Sequence, residues 1–201
     1  MQAQERGFIG PKPIELAFQH SLGFAACIDE LLRTGALPSS FFVADLGSGA
    51  GIPGLLLAGW FPESRCLLVD SMRKRYLFLE EMVRYFELEE RVSVYGGRSE
   101  ECAQSPAYML SLDLVTARGF ASPSATAENA SGLLHKDGIL LVSEPPDSLE
   151  NRWPEDGLRM LGFSSPIYRR FEFSYVWMVK SWKPRGKFPR GVGIPEKKPL
   201  F

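Results

Sequence analysis

Cysteine is scarce: Cys27, Cys66 and Cys102 are the only three in 201 residues, and no Cys-x-x-Cys pair occurs. An odd, widely spaced set excludes a disulfide framework and a thiolate zinc site, and it fits a reducing compartment. Histidine is scarcer still. His20 and His135 lie far apart and form no general-base constellation, and no metal ligand set is expected. No apolar run nears 18 residues, and the opening MQAQERGFIGPKP has no apolar signal core. A membrane span and a secretory leader are therefore not expected, and the chain reads as soluble and cytoplasmic. Internal repeats and low-complexity segments are absent too.

Net charge is also missing, because 23 Lys and Arg meet 24 Asp and Glu. The balance hides an asymmetry. Residues 1–150 hold 12 basic and 20 acidic groups, whereas residues 151–201 hold 11 and 4. The final stretch carries Lys187, Arg190, Lys197 and Lys198 with Phe188 and Phe201 among them. Counter-ion release from a polyanion gives such a segment an RNA-binding role; a solvated basic tail is the plain alternative.

What is present is a run of alternating strands and helices. Apolar groups at helical spacing over 14–34 predict a lone N-terminal helix ending before Gly35. Buried strands are expected at 41–46, 66–70, 91–95, 111–117 and 138–143. Helices are expected at 52–60, 71–87, 123–135 and near 155–161. Two further β-rich runs, FSSPIYRRFEF and YVWMVKSW, predict a closing hairpin. The fold class is thus α/β, with a doubly wound, mostly parallel sheet and a C-terminal antiparallel hairpin. Three parts follow: an N-terminal helical extension (1–40), a ligand-binding domain (41–183) and an extended, basic, Pro/Gly-rich tail (184–201).

The first strand ends in Asp45-Leu46-Gly47-Ser48-Gly49-Ala50-Gly51-Ile52-Pro53-Gly54. Glycines let the backbone turn sharply and let a ligand approach the peptide plane. Such a loop at a strand's carboxyl end is where α/β sheets bind ligands. Asp70, closing the second strand, is placed to accept from both hydroxyls of a ribose. Gly49-x-Gly51-x-x-Gly54 formally matches a dinucleotide fingerprint. The acid Asp45 would face a pyrophosphate in that case, and it suits the sulfonium and amino groups of S-adenosylmethionine better. A tight turn that merely needs glycine is the bland alternative.

The chemistry is narrowed by what is not there. Methylation of an exocyclic base amine calls for an Asp/Asn-Pro-Pro-aromatic turn after the fourth strand, where this chain has Thr116-Ala117-Arg118-Gly119-Phe120. Glu144-Pro145-Pro146-Asp147 follows the fifth strand instead and reads as a rigid loop. No cysteine sits in a loop suited to a nucleophile. A target atom with a free lone pair and no proton to lose, such as guanine N7, needs only positioning.

Five blocks, VADLGSGAGIPGLLLA, LLVDSMRKRYLFLEEMV, GGRSEE, LDLVTARGFAS and KFPRGVGIPEKKPL, resemble the bacterial 16S rRNA guanine-N7 methyltransferases (RsmG, formerly GidB). The likeness covers residues 41–135 and 187–200. It implies a class I, Rossmann-like methyltransferase fold. It also implies S-adenosylmethionine as cofactor and ribosomal RNA or the small ribosomal subunit as partner. By the resemblance Gly47 and Ile52 line the methionine side and Ser99 and Glu100 lie beside the adenine. Arg118 faces cofactor and target base, and it is the catalytic candidate. A guanidinium there can also fork to a carboxylate, a phosphate or guanine O6. The family carries a longer N-terminal region and a Lys-Gly after the fifth strand, in place of Ser143-Glu144. A monomer is expected. Alternatives at this point are a methyltransferase acting on another RNA or a small molecule, a non-catalytic RNA-binding module of the same fold, and a dinucleotide oxidoreductase.

Overall fold

The structure is a computed structural model, and it describes residues 2–8, 14–145, 152–184 and 186–201. Pro146 and Asp147 of the anticipated rigid loop lie outside the described residues. A short helix α1 (Gln2–Glu5) precedes the long α2 (Ile14–Arg33). Then come β1 (Phe42–Leu46), α3 (Gly54–Trp60), β2 (Arg65–Val69), α4 (Arg73–Tyr85) and β3 (Val92–Tyr95). The second half holds α5 (Ser99–Gln104), β4 (Leu112–Ala117), α6 (Pro123–Leu133), β5 (Leu134–Glu144), α7 (Glu155–Met160), β6 (Ile167–Arg170), β7 (Ser174–Val179) and α8 (Ile194–Lys197).

The seven strands lie in the order β3-β2-β1-β4-β5-β7-β6. β1 to β5 pair in parallel, and β7 pairs antiparallel with both β5 and β6. Parallel strands are covered on both faces and so read as unbroken apolar runs. Along β1 and β4 successive side chains serve two cores. Val43 and Leu114 face one with Phe24, Cys27 and Ile28 of α2 and Leu57 of α3. Ala44, Leu46 and Val115 face the other with Cys102 of α5 and Ala127 and Ala130 of α6.

Two boundaries differ from the sequence reading. α2, expected as part of an N-terminal extension, packs Phe24, Cys27, Ile28 and Leu31 into a core shared with the sheet. The last residues are not an extended tail, since Phe188, Leu200 and Phe201 pack against the core on the α5–α6 side. All three cysteines are free and buried. The parallel order reverses at β1, with β2 on one side and β4 on the other, and a crevice opens beyond the carboxyl ends of these strands.

Candidate functional site

The turn after β1 forms the floor of that crevice. Gly47 sits at φ 69°, a left-handed conformation that glycine takes without strain, and a Cβ on it would lie 2.9 Å from Phe120. The Gly47 and Ser48 N–H groups both donate to the Val69 carbonyl, at 2.9 and 3.0 Å, which ties the turn to the end of β2. Helix α3 starts at Gly54, two residues later than the sequence predicts.

Asp45 does not line the crevice. Its carboxylate is 1 % exposed and turned inward, accepting from the Gly54 N–H at 3.1 Å and the Thr116 hydroxyl at 2.9 Å. Burial pushes its pKa up to about 6, against the lowering effect of those donors. Asp45 is thus a brace joining β1, α3 and β4, and the sulfonium-facing role anticipated for it is corrected. A single acid in a sequence does not reveal which way its carboxylate turns.

Asp70 does face the crevice. Its Oδ2 accepts from the Gly49 N–H at 2.9 Å and its Oδ1 from the Met72 N–H at 2.8 Å, with Arg75 Nη1 at 3.9 Å. Each carboxylate oxygen keeps a lone pair for a ligand hydroxyl. Together with Gly47, Ser99, Glu100 and Asn129, Asp70 lines a cleft of about 330 Å³. Gly49, Gly51, Ile52 and Arg118 are not in this wall; Gly49 acts on it through Asp70. The Asn129 Oδ1 is buried in this wall and has no hydrogen-bond partner, while its amide nitrogen donates to Ala125 O. A buried acceptor left unpaired costs about 1–3 kcal/mol, so Asn129 Oδ1 is a ready acceptor for a donor entering the cleft.

Ser99 and Glu100, also in this wall, open α5. Glu100 is 5 % exposed; its Oε2 accepts from the Ser99 hydroxyl at 3.3 Å and its Oε1 from the Gly193 N–H at 3.0 Å. Arg190, expected on RNA, is instead committed to Glu128. Its backbone N–H, Nε and Nη2 donate to that carboxylate at 2.8, 2.9 and 2.7 Å, and Glu128 is fully buried. A buried carboxylate needs such a partner, and this takes Arg190 out of the cationic set. Lys187, Lys197 and Lys198 remain exposed.

A second pocket, of about 230 Å³, shares the wall Gly119-Phe120-Ala121 with the first. His20, Arg118, Glu144 and Trp153 line it. Arg118 is half-buried, and no hydrogen bond or ion pair among the described residues occupies its guanidinium. Burial lowers its pKa, opposed by the charges of Asp45 and Tyr175. His20 stacks on Phe173 with ring centres 4.1 Å apart, and burial followed by the charge of Arg118 pushes its pKa down to about 4. Glu144 is closed off by Arg152 Nη1 at 2.8 Å and Trp153 Nε1 at 3.0 Å.

Sequence reasoning missed His20, Asn129, Phe120 and Trp153 as wall residues, and it missed α5 altogether. SEECAQ is one and a half turns with no apolar stripe, so no periodicity announced it. For Asn129 a signal existed: α6 reads PSATAENASGL, with small residues on every side, the pattern of a helix buried all round.

Comparison with known proteins gives findings of three kinds. The family model described as rRNA small subunit methyltransferase G matches residues 10–151. A ribosomal RNA small subunit methyltransferase G of Leuconostoc mesenteroides is 35 % identical over 167 residues, covering 78 % of this chain and 68 % of the relative. That of Dictyoglomus thermophilum is 30 % identical over 167 residues, covering 79 % and 68 %. Among solved structures, a putative sarcosine dimethylglycine methyltransferase from Galdieria sulphuraria superposes with a TM-score of 0.63 at 14 % identity, covering 82 % of this chain and 86 % of that one. Human N-acetylserotonin methyltransferase, solved in complex with SAM, gives 0.54 at 15 % identity over 73 % and 48 %. These two speak for the methyltransferase fold alone.

Proposed function

Since the chain belongs to the rRNA small subunit methyltransferase G family, we propose that it moves a methyl group from S-adenosylmethionine to guanine N7 in small-subunit ribosomal RNA. The observation that carries this reading is the pair of pockets sharing the Gly119–Ala121 wall. One offers a ribose acceptor and a buried amide; the other offers a free guanidinium among aromatic rings. Two pockets that border the same Gly119–Ala121 segment can bring a methyl donor and an acceptor base into direct in-line contact, where proximity and orientation supply most of the rate.

In the first pocket Asp70 takes the ribose hydroxyls. Ser99, Glu100 and Asn129 border the adenine, and Gly47 lets the backbone come close. Bound there, the cofactor supplies an electrophilic methyl group. Gly49, Gly51 and Ile52 belong to the turn that shapes the cleft from behind, and Asp45 of β1 braces it. In the second pocket Arg118 is free to donate to guanine O6, which fixes the base while leaving the N7 lone pair unoccupied. Phe120 and Trp153 give it apolar faces.

The chemistry of N7 also accounts for what the pockets do not contain. N7 has no proton to lose, so no general base is called for. Burial drives the Cys27 and Cys102 thiols up to about 12, which removes both as nucleophiles at neutral pH. Lys187, Lys197 and Lys198 supply sequence-independent attraction to the RNA backbone.

The test is methyl transfer from labelled S-adenosylmethionine to small ribosomal subunits that lack guanine-N7 methylation, mapped by the strand cleavage that 7-methylguanine permits. Label at one guanine is the expected result. Cofactor binding without label would redirect the search to other RNAs and to small molecules.

A further inference from the structure

The last sixteen residues are built into the cleft rather than hung beside it. Gln104 Nε2 donates to Pro189 O at 3.0 Å, the Gly193 N–H to Glu100 at 3.0 Å and the Leu200 N–H to Ser124 Oγ at 2.7 Å. The segment also packs tightly. A Cβ on Gly132 of α6 would run into the ring of Pro189, and one on Gly157 of α7 into that of Phe201. Between these anchors, buried Pro195 and its neighbour Glu196 form part of the cleft wall, on the side of Ser99 and Glu100.

We infer that Glu128, which is not in the cleft wall, is a positioning residue: through Arg190 it holds this C-terminal strap so that Pro195 and Glu196 complete the Ser99–Glu100 end of the cofactor site. The inference rests on the cofactor reading above, in which that end takes the adenine.

Three observations bear on it. Glu128 is wholly buried in a helix of alanine and serine, where a carboxylate is costly unless fully compensated. Among the described residues every donor it receives comes from Arg190, the backbone N–H included. The strap cannot hold its own shape, having one four-residue helix and prolines at 189, 195 and 199. Its course over α5 and α6 is therefore set by the anchors it finds there, and the Glu128–Arg190 fork is the strongest in charge and geometry. Because Glu100 touches both the strap and the cleft, ligand binding and strap docking stabilise one another to the same degree.

The experiment measures binding, not turnover. S-adenosylhomocysteine and S-ribosylhomocysteine, which lacks the adenine, are titrated by calorimetry into the unaltered chain and the Glu128→Gln variant. Expected is a loss of tenfold or more for the adenine-bearing probe and a change under twofold for the other. An equal loss for both would mean a general loosening of the fold and would overturn the inference, as would no loss for either. Should the variant not fold, amide exchange on the unaltered chain decides. S-adenosylhomocysteine is expected to slow exchange at Gly193 and Leu200; slowing at Gly49 and Met72 alone would overturn the strap's role. Failure of the unaltered chain to bind S-adenosylhomocysteine would overturn the cofactor reading itself, and the inference with it.

Discussion

Replacing Asp70 by asparagine separates the carboxylate's two duties. In the folded chain one oxygen accepts from Gly49 and the other from Met72, at 2.9 and 2.8 Å. Asparagine offers one acceptor and one amino group. Whichever way the amide sits, one backbone N–H then faces a donor, a loss of about 1–3 kcal/mol in stability. The ribose loses more directly. One of its two hydroxyls forfeits a charged acceptor, worth about 1.5–3 kcal/mol, which converts to a roughly 10- to 100-fold weaker Kd. Calorimetric titration with S-adenosylhomocysteine at 25 °C, with Tm measured in parallel, reads both effects. A folded variant whose Kd lies within about threefold of the unaltered chain would refute the ribose assignment; the energies above are too large to hide in that range.

Three further outcomes are expected. Gly54→Ala should destabilise by about 1–3 kcal/mol in urea unfolding, because its Cβ would meet Leu68 and lie 2.7 Å from Asp45 Oδ2, outweighing alanine's better helix propensity; equal or greater stability would contradict the packing described. His20→Gln should change the pH dependence. The ordinary value of 6.5 falls to about 4 on folding, so only the unfolded chain takes a proton between these values. The contribution of His20 is then complete above about pH 6.5 and lost as pH falls toward 4, and unfolding of chain and variant at several pH values should show a stability gap that shifts in the variant's favour on acidification. Converting Lys187, Lys197 and Lys198 to glutamine should reduce the salt slope of RNA binding by about 2, at roughly 0.7 per phosphate contact, with S-adenosylhomocysteine affinity unchanged; filter binding across a salt series with an unaltered slope would move the RNA contact elsewhere.

The sheet was legible in the sequence because burial on both faces leaves long apolar runs, and FVADL, CLLV and LDLVTA stand out against their polar turns. The position of Asp70 was legible for the same reason: a strand's last residue is fixed once the strand is seen. Orientation was not. Asp45, one residue before the end of β1, and Asp70, one residue past the end of β2, flank the same glycine-rich turn, yet one braces the interior and the other lines the cleft. The C-terminal segment misled for a related reason. Its prolines, glycines and lysines are the composition of a solvated tail, and the groups that pin it, Glu100, Glu128 and Ser124, lie about 60 to 90 positions upstream. No local pattern carries such pairing.

The place of β7 between β5 and β6 bears on how this protein is made. Synthesis delivers β5 about thirty residues before β7, the only strand among the described residues that pairs with β5 on that side. Until residues 174–179 arrive, Ile139 to Glu144 present open N–H and C=O groups along a strand rich in leucine and valine. Such an edge is a template for pairing with another nascent chain. A message truncated between the codons for β5 and β7 yields a polypeptide that lacks the strand that covers this edge. The topology thus makes edge-to-edge association, and not only loss of function, a hazard of such a product.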